Sequence, residues 1–266
     1  MGWWSSLKEK AKSVGHKLKE TWQEVKEAGR KIINNVSERI DTWTDRAERA
    51  YNEVKTKIVE TYNDVKTKVK EKIKEYKVRS KHPGYVPTKP DQKIAEESKE
   101  FLDRKFRRGI RETMRNQTPE ERIQTIKEVV KEASQILDVD VDKVDFYQLD
   151  SEMGKTCGYF NREENSLNLN AYMITCDRMD LVEEQVYTVF HELIHARQWT
   201  AVTGKKDYGY TSETILEWAN NFVNYVPPTV SDEMYRRQPL ERDAFGFEAL
   251  IKGEYTIEDF VKYNSK

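Results

Sequence analysis

The sequence predicts an α+β protein, in which a long amphipathic α-helical module precedes a domain of mixed helices and strands. Three observations predict it. Apolar residues between Trp3 and Arg79 recur at helical spacing with no proline to interrupt them. The period then shifts to strand-like alternation between about residues 143 and 170. A strongly helical stretch follows, from Asp180 to about Thr203, with Gly204 as its stop. Charge divides the chain in the same way. Residues 1–80 carry 20 Lys and Arg against 13 Asp and Glu, a net +7, which leaves −8 for the remainder. Pro83, Pro87 and Pro90 cluster between the two parts. Proline fixes φ and pushes its predecessor out of the helical region. We therefore divide the chain into a helical module at 1–80, a linker at 81–92 and a second domain at 93–266.

In the first part the apolar period is 11. One register is Val14, Val25, Val36, Ala47, Ile58, Val69. A second is Leu7, Leu18, Gly29, Ile40, Tyr51, Tyr62, Ile73, and a third is Ile32, Trp43, Val54, Val65, Tyr76. The repeat is almost literal in YNEVKTKIVET (51–61) and YNDVKTKVKEK (62–72). Eleven residues close three turns at 3.67 per turn, so the stripe runs nearly straight along one continuous helix. Such repeats resemble those of apolipoprotein-type and late-embryogenesis-type helices. Two partners suit residues 3–79. One is a membrane surface, with lysine stems snorkelling and tryptophans at the headgroups. The other is a partner protein, in a helical hairpin or coiled coil. Met1-Gly2 with Ser6 also fits a myristoylation pattern.

Composition excludes several classes. No run of about 18 apolar residues exists to cross a bilayer as a helix. The N-terminus lacks the apolar core of a secretory signal, which points to the cytoplasm, to export by a signal-independent route, or to peripheral membrane association. Two cysteines, Cys157 and Cys176, exclude a disulfide scaffold and a Cys-rich zinc finger, and could pair only outside the cell. No nucleic-acid partner is expected.

In the second part, 93–116 reads as one helix with Phe101, Phe106, Ile110 and Met114 on its apolar face. Thr118-Pro119-Glu120-Glu121 opens another, with cap, proline and capping-box glutamate in place. KVDFYQLD (143–150) alternates as a strand, and CGYFNREENSLNLN (157–170) reads as two strands about a polar turn.

The helix after Asp180 carries His191-Glu192-Leu193-Ile194-His195. Four residues is just over one helical turn, so both imidazoles leave one face and can grip one Zn2+. Glu192 then falls beside a metal-bound water and can take its proton. With four histidines in 266 residues, the chance expectation for this motif is roughly 0.01. The other two, His16 and His82, are expected at the surface.

No histidine follows His195, so a carboxylate must complete the metal sphere. Candidates are Glu213, Glu217, Glu233, Glu241 and Glu248, with Asp207, Asp232 and Asp243. Here the chain resembles the gluzincin class of zinc metallopeptidases, whose third ligand is a glutamate on a later helix, in several families within a pattern like E-x-[DE]-A. Pro239-Leu240-Glu241-Arg242-Asp243-Ala244 is similar. The resemblance implies a zincin-like fold, with Glu241 as third ligand and a small antiparallel sheet ahead of the active-site helix. It also implies a protein or peptide substrate paired to the edge strand, whose place NSLNLN (165–170) occupies. Gln198, three residues past His195, resembles HExxHxxQ zincin domains of bacterial toxins and secreted effectors, so delivery as an effector is a further expectation. Tyr210, Tyr225, Tyr235 and Arg236 are candidates to stabilise an oxyanion. Asp243 is a candidate acceptor for a ligating histidine. The sequence therefore points to zinc-dependent peptide-bond hydrolysis. A zincin-fold binding module without turnover, or a scaffold acting through its N-terminal helix, stand as alternatives.

Overall fold

The computed structural model describes residues 2–37, 44–148 and 157–265. The chain separates into two compact units, Met1–Ile73 and Lys74–Lys266.

The first unit contains two helices where one was expected: α1 (Gly2–Ser37) and the first thirty residues of α2 (Thr44–Lys81). Residues 38–43, with Ile40 and Trp43 of the repeat, lie outside the described residues. The ring of Trp22 on α1 lies 6.0 Å from that of Tyr62 on α2. Val54, Ile58, Val65 and Val69 are half-buried, and the lysines between them are exposed.

The second unit holds the remaining elements. These are α3 (Lys89–Lys105), α4 (Ile110–Arg115), α5 (Pro119–Leu137), β1 (Lys143–Tyr147), β2 (Gly158–Asn161), β3 (Ser166–Asn170), α6 (Ala171–Thr175), α7 (Met179–Val202), α8 (Ser212–Val223), α9 (Asp232–Arg237), α10 (Pro239–Ile251) and α11 (Ile257–Asn264). An α+β architecture is therefore present, mostly helical, with three strands.

The proline-containing segment is shorter and more buried than expected. Helix α2 continues to Lys81. Thr88 caps α3 in a reciprocal box with Asp91, which places Pro90 inside the first helical turn. Between them His82, Tyr85 and Pro87 are buried. The Asn264 amide donates to the backbone oxygens of both His82 and Tyr85, tying this segment to the last helix. Tyr85 packs edge-on to Phe260, at 5.0 Å, and over Gly246, where an added Cβ would come within 2.1 Å of its ring. His82 is likewise interior, against Tyr255 and Phe260, contrary to the surface position expected of it. The helix expected at 93–116 is interrupted at Gly109, whose φ of 84° lies in the left-handed region where a side chain would be strained. The start of α5 follows the sequence signal, with Thr118 and Glu121 in a capping box, and Asp138 closes its other end in the left-handed conformation.

The sheet order is β1-β3-β2. β2 runs antiparallel to β3, but β1 runs parallel to it, so the sheet is mixed and not antiparallel. Segment 166–170 is its central strand, buried along its whole length, and cannot be the edge expected to bind substrate. The edge strands are β1 and β2, because β3 spends its backbone groups on neighbours at both sides. The core gathers around α7, where Val182, Val186, Val189, Phe190 and Leu193 are fully enclosed. The helix is buried on most of its sides, with polar as well as apolar residues enclosed.

Candidate metal and hydrolytic site

On α7, His191 and His195 stand one turn apart with their rings 4.9 Å from each other at 82°. Pro239 opens α10, and Glu241 follows in its first turn. Gln238, just before the helix, is anchored through its side chain to the backbone of Val226 and to Asn221. Asn221 in turn accepts from Leu240 N–H. These bonds fix where α10 begins, and so where Glu241 points.

Glu241 is almost fully enclosed. One of its oxygens lies 3.2 Å from His191 Nε2 and the other 3.3 Å from His195 Nε2. Donors bound tetrahedrally at zinc distances of about 2.0–2.1 Å would sit about 3.3 Å apart. The donor set, two imidazole nitrogens and a carboxylate whose ligand atoms all lie within 4.8 Å of one another, is therefore one that fits Zn2+.

The far nitrogens of both rings are also held. His191 Nδ1 meets Glu248 Oε2 at 3.0 Å, and His195 Nδ1 meets Gln198 Oε1 at 2.8 Å. An acceptor at Nδ1 favours a proton there and leaves Nε2 as the ring atom that faces Glu241. Gln198 also donates to Leu240 O at 3.1 Å, linking His195 to the first turn of α10. Glu248 is clamped at its other oxygen by Lys252, 2.5 Å away, which also reaches Glu184 at 2.8 Å. Burial works against ionising Glu248, but His191 and Lys252 prevail and hold its carboxyl down at about 2.

Glu192 sits on the same face. Its Oε2 accepts the backbone N–H of Phe160 on β2, at 3.0 Å. Burial raises its pKa above the usual carboxylate range, although both histidines pull the other way. An acid raised in this way is a better proton acceptor than a free carboxylate. Tyr225 donates to Glu241 Oε1 at 2.7 Å. Burial, then the nearby Glu241 carboxylate, drives the hydroxyls of Tyr225 and Tyr235 well above their ordinary range, so both stay protonated donors. Glu192, His195, Tyr225, Tyr235 and Glu241 open into a cavity of about 420 Å³, with β2 among its walls and Phe222 and Leu240 among its apolar lining.

Other expected residues lie elsewhere. Glu213 is exposed at the start of α8, and Glu217 pairs with Arg242 at 3.2 Å. Glu233 and Asp232 pair with Arg237 and Arg236. Asp207 accepts from Gly209 N–H. Tyr210 bridges Arg197 and Asp91. Arg236 lies over the Phe245 ring. Asp243 is not the histidine's acceptor: it takes the Trp218 indole N–H and the Arg242 guanidinium. Glu248 has that role, and it stands seven residues after Glu241, two turns along the same helix face. Cys157 and Cys176 are not joined in a disulfide, and burial pushes Cys157 up to about 11. The backbone N–H that holds Glu192 has no signature in the sequence.

The chain matches no protein-family model, no curated protein and no solved structure.

Proposed function

We propose that the second unit is a zinc-dependent peptidase, with His191, His195 and Glu241 as metal ligands and Glu192 as the catalytic acid–base. The observation that carries this reading is the convergence of the three donors beside a buried carboxylate that opens on the same cleft. Bound Zn2+ would supply Lewis acidity, lowering the pKa of water and polarising a carbonyl. Glu192 would accept the water's proton and pass it to the leaving amine. Tyr225 and Tyr235 would keep Glu241 oriented and offer hydroxyl donors to developing negative charge. The outer edge of β2, beyond the Phe160 N–H already held by Glu192, would align an extended peptide by backbone pairing, which is why peptides are the substrate class favoured. The zincin-like fold and the gluzincin resemblance belong to the same proposal.

The test is metal content together with hydrolysis. About one zinc per chain is expected in the unmodified protein, lost or greatly weakened in Glu241→Ala. Glu192→Gln should retain zinc and lose hydrolysis of a mixed peptide pool. Full activity in Glu192→Gln would reject the assigned base. A protein that takes up no zinc even on reconstitution would reject the site.

A further inference from the structure

We propose that the first unit is a docking surface for an anionic membrane, a role independent of the chemistry assigned to the second unit. No described side chain between Glu9 and Ile73 is buried, so the described residues of this unit form no interior of their own. Trp22, Val59, Tyr62 and Ile73 are about half exposed. Two helices of this kind leave apolar surface in water, which some further surface must cover.

The charges of α2 indicate which surface. At 3.67 residues per turn, each residue is rotated about 98° from the last. Val54, Ile58, Tyr62, Val65, Val69 and Ile73 then lie within about 35° of one line along the helix. All six lysines of 52–73 fall about 65–100° from that line, on its two shoulders. All four acids of the same stretch, Glu53, Glu60, Asp64 and Glu71, fall beyond about 130°, on the opposite face. Helix α1 is less sharply sorted, with Lys17 and Lys26 but also Glu24 beside its stripe.

This sorting disfavours a second copy of the chain. Two such stripes laid together would bring lysine shoulders against lysine shoulders, where paired helices place opposite charges. It suits a lipid surface instead. The apolar line enters the acyl boundary, the lysine stems lie along it with their ammonium groups at the phosphates, and the acids face water. The flanking cations make the surface selective for anionic lipid, at a strength set by the number of lysines engaged.

The experiment is flotation of the full-length protein with vesicles of phosphatidylcholine alone and of phosphatidylcholine with about 30 mol% phosphatidylserine. Binding to the anionic vesicles is expected, at least about tenfold weaker on the neutral ones and weakened between about 0.05 and 0.5 M salt. Replacing Lys55, Lys57, Lys66 and Lys68 together by Glu should lower anionic binding at least about tenfold, while the four Lys→Arg changes should preserve it. Circular dichroism of each variant checks its helices, and the salt series tests the proposal without any substitution. Absence of flotation would overturn it, as would undiminished binding by a folded Glu variant. A dimer in sedimentation that ignores both vesicles would give the stripe to a second copy and overturn it too.

Discussion

At the scale of single residues, the site depends on what stands behind each donor. Glu248 reaches no metal position, yet it fixes the His191 ring from behind and is itself fixed by Lys252. Glu248→Gln keeps the shape but removes the charge that favours the Nδ1 proton. We expect zinc affinity to fall about 10- to 100-fold, measured by competition with a chelator. Unchanged affinity would show that the ring needs no such support. His82 makes a different prediction. Burial lowers its pKa to about 4, from an ordinary value of 6.5. The unfolded chain therefore binds a proton between those limits while the folded chain does not, and stability falls as pH drops from 6.5 to 4. The full difference is about 3 kcal/mol. In denaturant titrations from pH 7 to pH 4, the stability of His82→Phe should gain on that of the unmodified protein by roughly this amount; parallel curves would place His82 in water. The residue scale is also where the sequence is most legible. His191, Glu192 and His195 are readable because one helical turn does the positioning. Glu241 is readable because a proline and a small residue mark the start of its helix. Glu248 was visible only as one carboxylate among several, since nothing local says which nitrogen it meets.

At the scale of elements, local signals are readable and pairing is not. The capping boxes at Thr118 and the helical periodicity of α7 are local properties. They carry over into the structure directly. The sheet order depends on contacts between strands about twenty residues apart, and alternation alone says nothing of which strand is central. The segment 82–88 misleads for a related reason. Its prolines and charges read as a tether, while its burial comes from α10 and α11, far along the chain. Gly246→Ala tests that packing. The new methyl would meet the Tyr85 ring at 2.1 Å, with helix backbone on one side and a packed aromatic on the other. A loss of about 1–3 kcal/mol is expected in denaturant titration. A neutral result would mean that the ring is free to move aside.

At the scale of the whole molecule, the two units differ in how they are held together. The second has a core of fully enclosed aliphatic and aromatic side chains, and the first has no buried side chain among its described residues. Hydrogen exchange should separate them. Amides of α1 and of α2 up to Ile73 are expected to exchange through local opening, well before those of α7 and α10. Equal protection in both would require an interior that is not found among the described residues of the first unit. The opposite net charges of the two parts, legible from composition alone, belong to this same division.

The carboxylate of Glu241, proposed above as a metal ligand, stands 50 residues from His191 in sequence. An ion held by both would act as a cross-link, closing a long loop that contains α8 and α9. While the ion is bound the loop is closed and that stretch has fewer conformations open to it, a restriction that is lifted when the ion leaves. Metal supply and folding are then linked by mass action, and stability rises with free zinc. Chelation should loosen the 203–238 stretch first and leave the α3–α5 half of the unit folded. The cleft would in that way come apart before the scaffold that carries it.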